Sequence, residues 1–437
     1  MKHLKTLAEQ IIAQAQKQGA DQVDVSTSLE TGFSATARQG DVETIEHHQN
    51  RSLNITVFQD HRTASVSTSD FSPEAIEAAI QKACSIVQFT GEDACLGLAD
   101  PDLLAHDYPD LKLYHSWSIT PKEAIDMAVS CEASALKQDK RIKHSEGVTL
   151  NTFDATEMLA NSYGFFGGYQ KSSHSLSCGL VAEQNGEMAR EYEYTISRDP
   201  SKLLSAETIA DQVVAKTLKR LGAKRLKTQR CPIVFHSSVA RSLLGHFVSA
   251  ISGVNLYRGT SFLADQLGKP VFPASMTIYQ DPHVIGEIGS VPFDGDGVRT
   301  KKLDYIKDGV LVNYSLGTYS ARKLGMKSTG NSGGVHNLML NHSNKTLDDL
   351  LKEMGTGLFV TELIGQGVSI VSGNYSRGAF GFWVENGEIQ YPVHEITIAG
   401  NLKDIFKGIQ CVANDVDHRR NIKTGSILLA PMMVAGE

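Results

Sequence analysis

The chain has 437 residues, 41% of them hydrophobic and 21% charged, with a formal net charge of −7. That length gives room for two or three domains with real cores, and the acidic balance argues against nucleic acid as the main ligand. The longest apolar run, Ile427 to Ala435, contains a proline and is too short to span a bilayer. The six cysteines are scattered without a Cys-x-x-Cys pair, which argues against a disulfide framework or a structural zinc knot. The first residues carry mixed charge and lack the apolar core of a signal peptide, so a cytoplasmic location is expected.

In chain order, Leu4, Leu7, Ala8, Ile11, Ile12 and Ala15 recur at helical spacing, and Gly19 stops that helix. Val23 and Val25, then Phe33, Ala35 and Ala37, then Leu53, Ile55 and Val57 alternate as strands do. Asp60-His61 lies at a hairpin tip. Ser72 and Pro73 open a second helix that runs to about Val87, with Glu74 and Glu77 near its positive end. The order then returns. Thr120 and Pro121 start a helix to about Leu136, and strands are expected over 141–153, 158–165, 174–182 and 187–196. Asn185-Gly186 joins the last two, and a helix from Ser205 to Leu221 closes the unit.

These two helix–strands–helix halves, joined by a polar stretch over 91–118, are expected to form one domain over residues 1–225. Its long helices would cover one face of an antiparallel sheet. His47 and His48 are adjacent on a strand, point to opposite faces and cannot share a metal. Gly164-Phe-Phe-Gly-Gly-Tyr169 lacks the lysine and strand-to-helix context of a phosphate loop and reads as a mobile aromatic loop. A basic run from Lys216 to Arg230 sits at a helix C-terminus and in the linker after it, where dipole and solvent accommodate it.

The second domain, residues 226–437, is expected to be mainly β with an inserted helix over 239–251, giving an α+β protein overall. Ser237 or Ser238 caps that helix. Val239, Leu243, His246 and Ala250 share one face, and Leu244, Phe247, Val248 and Ile251 cover much of the rest, so the helix reads as buried. Ser242, Gly245, Ser249 and Ser252 form a small-residue stripe along which another backbone can come close. His246 is the one strong chemical handle. A hydrogen-bonded core or cleft histidine is the plain reading; contact with a ligand, or a metal or catalytic role, is the sharper one. Phe293 to Val298 is rich in Asp and Gly but lacks the ligand spacing of a calcium loop, so it reads as a turn. Gly325 to Gly334 needs special backbone geometry, and Asp308-Gly309 and Asn386-Gly387 mark two more hairpins. No cluster has the three-ligand pattern of a catalytic zinc.

The stretch from Arg230 to Gly253, taken with Gly365 to Ile396 and its core Gly-Asn-Tyr-Ser-Arg-Gly-Ala-Phe-Gly-Phe-Trp, resembles the PmbA (TldE) branch of the TldD/PmbA family. The resemblance runs nearly end to end. In the TldD branch the central helix carries His-Glu-x-x-x-His, two zinc ligands and a general base. Those positions here are Gly245, His246 and Ala250. The further cysteine ligand of that branch has no counterpart in Arg419 to Gly425.

The resemblance therefore implies shared fold and partnership without a metal site or cofactor of this chain's own. It implies a heterodimer with a TldD-type protein that holds the zinc. Together they enclose a chamber that digests unfolded peptides and trims leader peptides. This chain, inactive alone, would supply chamber wall and substrate channel, with His246, Tyr375 and Arg377 as the candidate substrate-contacting residues. A homodimer is expected when the chain is alone. Two alternatives stay open: a self-sufficient peptidase with an unrecognised metal site, and a binding protein that modulates DNA gyrase, to which the family has been linked.

Overall fold

Regular apolar–polar alternation favours long strands over short ones, and the computed structural model, which describes residues 1–437, carries this further than the local patterns suggest. The alternating patches around 23–25 and 33–37 belong to one strand, β1 (Gln22–Arg38). It pairs along its whole length with β2 (Asp41–Gln59), which turns into β3 (Arg62–Thr68). The separate strands expected over 141–153 and 158–165 are likewise one, β4 (Ile142–Asn161). It is followed by β5 (Phe166–Gln184) and β6 (Glu187–Ser197). Polar residues such as Thr27 and Asp154 break the apolar pattern without breaking the ladder, because the partner strands supply every backbone bond there.

The six strands form one antiparallel sheet in the order β3-β2-β1-β4-β5-β6, so the two halves of the domain meet at the central β1–β4 pair. Helices α1 (Lys2–Lys17) and α2 (Pro73–Val87) cover one half over Val23, Val25, Leu53, Ile55 and Val57. Helices α3 (Pro121–Gln138) and α4 (Ala206–Lys219) cover the other over Ala35, Val148, Leu150, Leu176 and Cys178. Sequence and structure agree on the caps of α2 and α3. The Ser72 side chain accepts from Ala75 N, and Thr120 forms a capping box with Glu123. The opposite sheet face carries hydroxyl groups, including Thr36 and Thr149, whose oxygens lie 3.0 Å apart.

Because β3 pairs only with residues 53–59, residues 41–52 of β2 are an exposed edge. The expected aromatic loop is mostly strand. Phe165 is only 2% exposed and packs edge-on against Phe293 at 5.3 Å, so a buried ring anchors the turn.

The C-terminal half contains β7 (Gln229–Phe235), α5 (Ser237–Ile251), β8 (Ile278–Gln280), β9 (Leu303–Lys307), β10 (Val310–Leu311) and β11 (Leu338–Leu340). It continues with β12 (Gly357–Val368), β13 (Asn374–Glu385), β14 (Glu388–Asn401), β15 (Ile409–Val412), β16 (Ile422–Lys423) and β17 (Ile427–Ala435). A five-stranded sheet runs β10-β9-β8-β11-β16 and a six-stranded one β14-β13-β12-β7-β17-β15. In the second sheet β14 also pairs with β17, so β7, β12, β13, β14 and β17 close into a ring. Helix α5 buries Leu243, Leu244, Phe247, Ala250 and Ile251 in the core shared with that ring. The Asp308-Gly309 and Asn386-Gly387 turns have the paired positive φ angles that their sequences favour.

The halves are laced together through arginine. Buried Arg198 donates to Ser172 O at 3.1 Å and, across the junction, to Glu287 O at 3.0 Å and Ile288 O at 2.7 Å. Arg322 donates to the carbonyls of Gly97 and Leu98 in the stretch between the two N-terminal halves. No helix is long and apolar enough to cross a membrane.

Candidate functional site, a charged cleft beside helix α5

Helix α5 begins at Ser237, so the two serines expected as caps lie inside it. His236 caps it instead, its Nδ1 accepting from Ser238 N at 3.3 Å. Nor is the helix buried all round. Arg241, Ser242, Gly245, His246 and Ser249 are half-buried, and a Cβ added at Gly245 would meet no atom within 4 Å. The small-residue stripe receives no backbone along this part. Small side chains permit a close approach without compelling one, and none is made at Gly245; the cleft begins beside Ser242. Only past the helix end does a neighbour close in, where a Cβ at Gly253 would collide with Ser320 Oγ.

The cleft has a volume of about 1270 Å³ and separates α5 from β6, the end of α4, β12 and β13. Its walls are charged and internally paired. Buried Glu193 accepts from Arg419 at 2.6 Å and from Lys216, and Arg419 also reaches Asp417 at 2.9 Å. Burial alone would raise the Glu193 pKa, but the Lys216 and Arg419 cations outweigh it and hold the carboxyl below its ordinary value. Arg220 bridges Glu191 at 2.9 Å and Glu362 at 2.5 Å while lying over the Phe380 ring. Much of the basic run at the end of α4 is therefore consumed in contacts within the chain. Lys224 over Tyr391, and Arg225 with Glu395 and Glu437, continue the pattern.

Beside the cleft, α5 and β13 bring together His246, Tyr375 and Arg377, the three residues picked out as substrate-contacting; Arg377 lines the cleft, and His246 and Tyr375 pack next to it outside the lining. The alternation of β13 puts Tyr375 and Arg377 on the face toward α5. The His246 and Tyr375 rings meet edge-on at 6.1 Å. Burial, and then the Arg377 guanidinium, hold the His246 pKa below that of an ordinary histidine. The expected hydrogen-bonded histidine is not what is found: His246 Nε2 is buried without a partner, and so are Tyr375 Oη and Arg377 Nε. Arg377 makes one protein bond, Nη2 to Leu363 O at 3.2 Å.

The paired charges of the cleft escaped sequence reasoning. Glu193 and Arg419 lie 226 positions apart, and only the Tyr192–Tyr194 alternation beside Glu193 hinted that β6 presents a face.

Profiles of the PmbA/TldA metallopeptidase domain 1, central domain and C-terminal domain match residues 23–87, 114–221 and 228–436. Over 418 residues the chain is 48% identical to Metalloprotease PmbA of Escherichia coli O157:H7, covering 96% of this chain and 93% of that protein. The chain belongs to the PmbA branch of the PmbA/TldD metallopeptidase family.

Buchnera aphidicola subsp. Acyrthosiphon pisum has relatives of both branches. Its Metalloprotease PmbA homolog is 39% identical, covering 95% of this chain and 93% of the relative. Its Metalloprotease TldD homolog is 22% identical, covering 85% and 80%. A Bacteroides thetaiotaomicron structure, provisionally described as a modulator of DNA gyrase, superposes with a TM-score of 0.95 at 26% identity and covers 100% of both chains. TldE from Thermococcus kodakarensis shares the fold, with a TM-score of 0.87 at 20% identity over 98% of this chain and 100% of that one.

A metallopeptidase family implies a metal, and zinc is the ion expected of it. At the helix positions that the resemblance sets against the TldD motif, the residues do not fit one. Gly245 offers no ligand atom, Ala250 offers a buried methyl, and no three His, Cys, Asp or Glu side chains gather where they could hold an ion.

Proposed function

We propose that this chain is the non-metal subunit of a TldD-type metalloprotease complex, where it holds unfolded or leader peptides against the partner that carries zinc. The observation that carries this reading is at α5. The helix that this reading aligns with the metalloprotease motif borders a large cleft through Val239, Arg241 and Ser242, yet its motif positions Gly245, His246 and Ala250 offer a single imidazole between them. Without a metal there is no acidified water for His246 to activate, so the helix wall serves to position substrate. The presence of both branches in one Buchnera strain supports a two-protein assembly. The hydroxyl-lined sheet face suits a chamber wall that peptides slide along, since it offers hydrogen bonds without a fixed pattern. In the same reading the chain works in the cytoplasm, and its parts are residues 1–225, the wall, and 226–437, which carries α5, with the cleft lined by both.

The test is co-purification from native extract, with metal analysis of each component and a peptide-cleavage assay. The proposal expects a TldD-type protein in the complex, zinc in that protein, and cleavage by the complex but not by this chain. Stoichiometric zinc in this chain, with chelator-sensitive cleavage by it alone, overturns the proposal in favour of a self-sufficient peptidase.

A further inference from the structure

We infer that Arg377, in the cleft wall, and His246 and Tyr375, packed beside it, form a carboxylate-binding subsite. The inference rests on the peptide-holding reading and deepens it by naming what is held: a free C-terminal carboxylate or an acidic side chain.

Arg377, like Arg241 on α5, is an arginine of the cleft with no carboxylate partner, and of the two only Arg377 adjoins further unpartnered polar groups. The cleft's Arg220 and Arg419 are each held between two carboxylates, Glu191 with Glu362 and Glu193 with Asp417. Arg377 faces the same cleft half-buried and pairs with no carboxylate; its one bond is to the Leu363 carbonyl. A cation taken out of water without a counter-ion is costly, and a buried donor without an acceptor adds to the cost. Two neighbours share the shortage. Tyr375 is 2% exposed, and its hydroxyl, like His246 Nε2 and Arg377 Nε, meets no partner.

All three groups can donate: a guanidinium N–H, a phenol O–H, and the N–H of a neutral imidazole. The chemistry missing here is a compact acceptor with one negative charge. An ionised carboxylate has that charge and about four lone-pair sites, whereas a water molecule satisfies bonds but leaves the cation unbalanced. A dianionic phosphate calls for more than one cation. Room exists on the helix side, where Gly245 next to His246 has open space around its Cα. Arg377 spends only one N–H on the protein, to the Leu363 carbonyl, which leaves most of its donors for an incoming carboxylate.

The experiment uses the isolated full chain and calorimetric titration with acetyl-triglycine, its C-terminal amide, and amidated peptides carrying one Glu or one Gln. The free acid should bind at least about tenfold more tightly than the amide, and Glu more tightly than Gln if side-chain carboxylates are also taken. Arg377→Gln should weaken acid binding by at least about tenfold. Tyr375→Phe is the discriminating variant. It should weaken binding severalfold while leaving the thermal midpoint unchanged or raised, because the deleted hydroxyl has no partner in the empty protein. Equal binding of acids and amides, no binding of either, or a Tyr375→Phe protein that loses midpoint and keeps affinity would each overturn the inference. Failure of the subunit reading is seen separately, as absence of a TldD-type protein on co-purification, and leaves these titrations unaffected.

Discussion

Arg419 and Glu193 meet at 2.6 Å across the cleft, one from the loop before β16 and the other from edge strand β6, and tie the two halves of the chain together. Glu193 is buried and serves two cations, so Glu193→Gln leaves Lys216 and Arg419 short of a counter-charge. The expected cost is about 2–4 kcal/mol, toward the range for breaking a buried pair but reduced because both cations are partly exposed. The pH dependence follows from the depressed Glu193 pKa. Its stabilisation is present above the unfolded carboxyl pKa and is lost as pH falls through the lower, folded value. Urea unfolding at neutral pH and near pH 4 checks both. A Glu193→Gln variant as stable as wild type under both conditions would show the pair to be idle.

A second set of carboxyls has the opposite sign. Asp24 on β1 and Asp294 in the Asp–Gly turn are both pushed up to about 7, first by burial and then by the charge of Asp296. Folded pKa values above the unfolded one mean that the native state binds more protons than the unfolded state between about pH 4 and 7. Stability should therefore rise as pH is lowered from 8 to about 6. Asp294 accepts from the backbone N–H groups of Asp296, Val298 and Ser332, whereas Asp24 has no such bonds. Asp24→Asn should accordingly stabilise the protein at pH 8 by about 1–3 kcal/mol and flatten the trend. Thermal midpoints of the two proteins across this pH range are the measurement; parallel curves would refute the assignment.

Restoring the metalloprotease motif should not be enough to make an enzyme. A histidine at position 245 has room, since a Cβ there meets nothing within 4 Å, but position 250 lies in the packed core. The triple variant Gly245→His, His246→Glu, Ala250→His is expected to be destabilised by about 1–3 kcal/mol from overpacking at 250. It should take up less than one zinc per chain and show no peptide cleavage. Chelator-sensitive turnover by the triple variant would contradict this.

The free edge of β2 bears on assembly. Val42 and Ile45 are exposed there beside strands whose own apolar residues are covered, and an unpaired edge invites a further strand. Acidic Asp41, Glu43 and Glu46 precede His47, His48 and Arg51, so two copies running antiparallel about His47 bring unlike charges together. The isolated chain is expected to be a two-fold dimer at tens of micromolar, and His47→Cys should crosslink across the axis under mild oxidation while Gln49→Cys does not. Light scattering and a non-reducing gel decide the matter. A monomer, or a dimer without the position-47 crosslink, would rule out this edge.

Much of the fold was legible because its punctuation is chemical. Asn185-Gly186, Asp308-Gly309 and Asn386-Gly387 adopt the left-handed turn angles that their side chains tolerate, and Ser72 and Thr120 cap as their positions indicate. Strand length was less legible. β1 and β4 continue through polar residues because neighbouring strands on both sides hold the backbone, which no local pattern reveals. His246, Tyr375 and Arg377 could be singled out from their segments, but not the emptiness beside Gly245 or the missing bonds on all three. An absent neighbour leaves no trace in the sequence around a residue.

The ring in the C-terminal half has a consequence for synthesis. β7 lies between β12 and β17, so the first of the ring strands to leave the ribosome waits for the last, from Gln229 to Ala435. Until β17 arrives, β7 has an open ladder edge, β14 lacks its closing partner, and the apolar face of α5 has an incomplete wall. Such late, long-range closure is slow, and it leaves a nascent chain that is prone to aggregate. Cells making this protein quickly should depend on chaperones that hold the chain until its final strand is released, and deletions within residues 427–435 should abolish folding of this half rather than merely trim it.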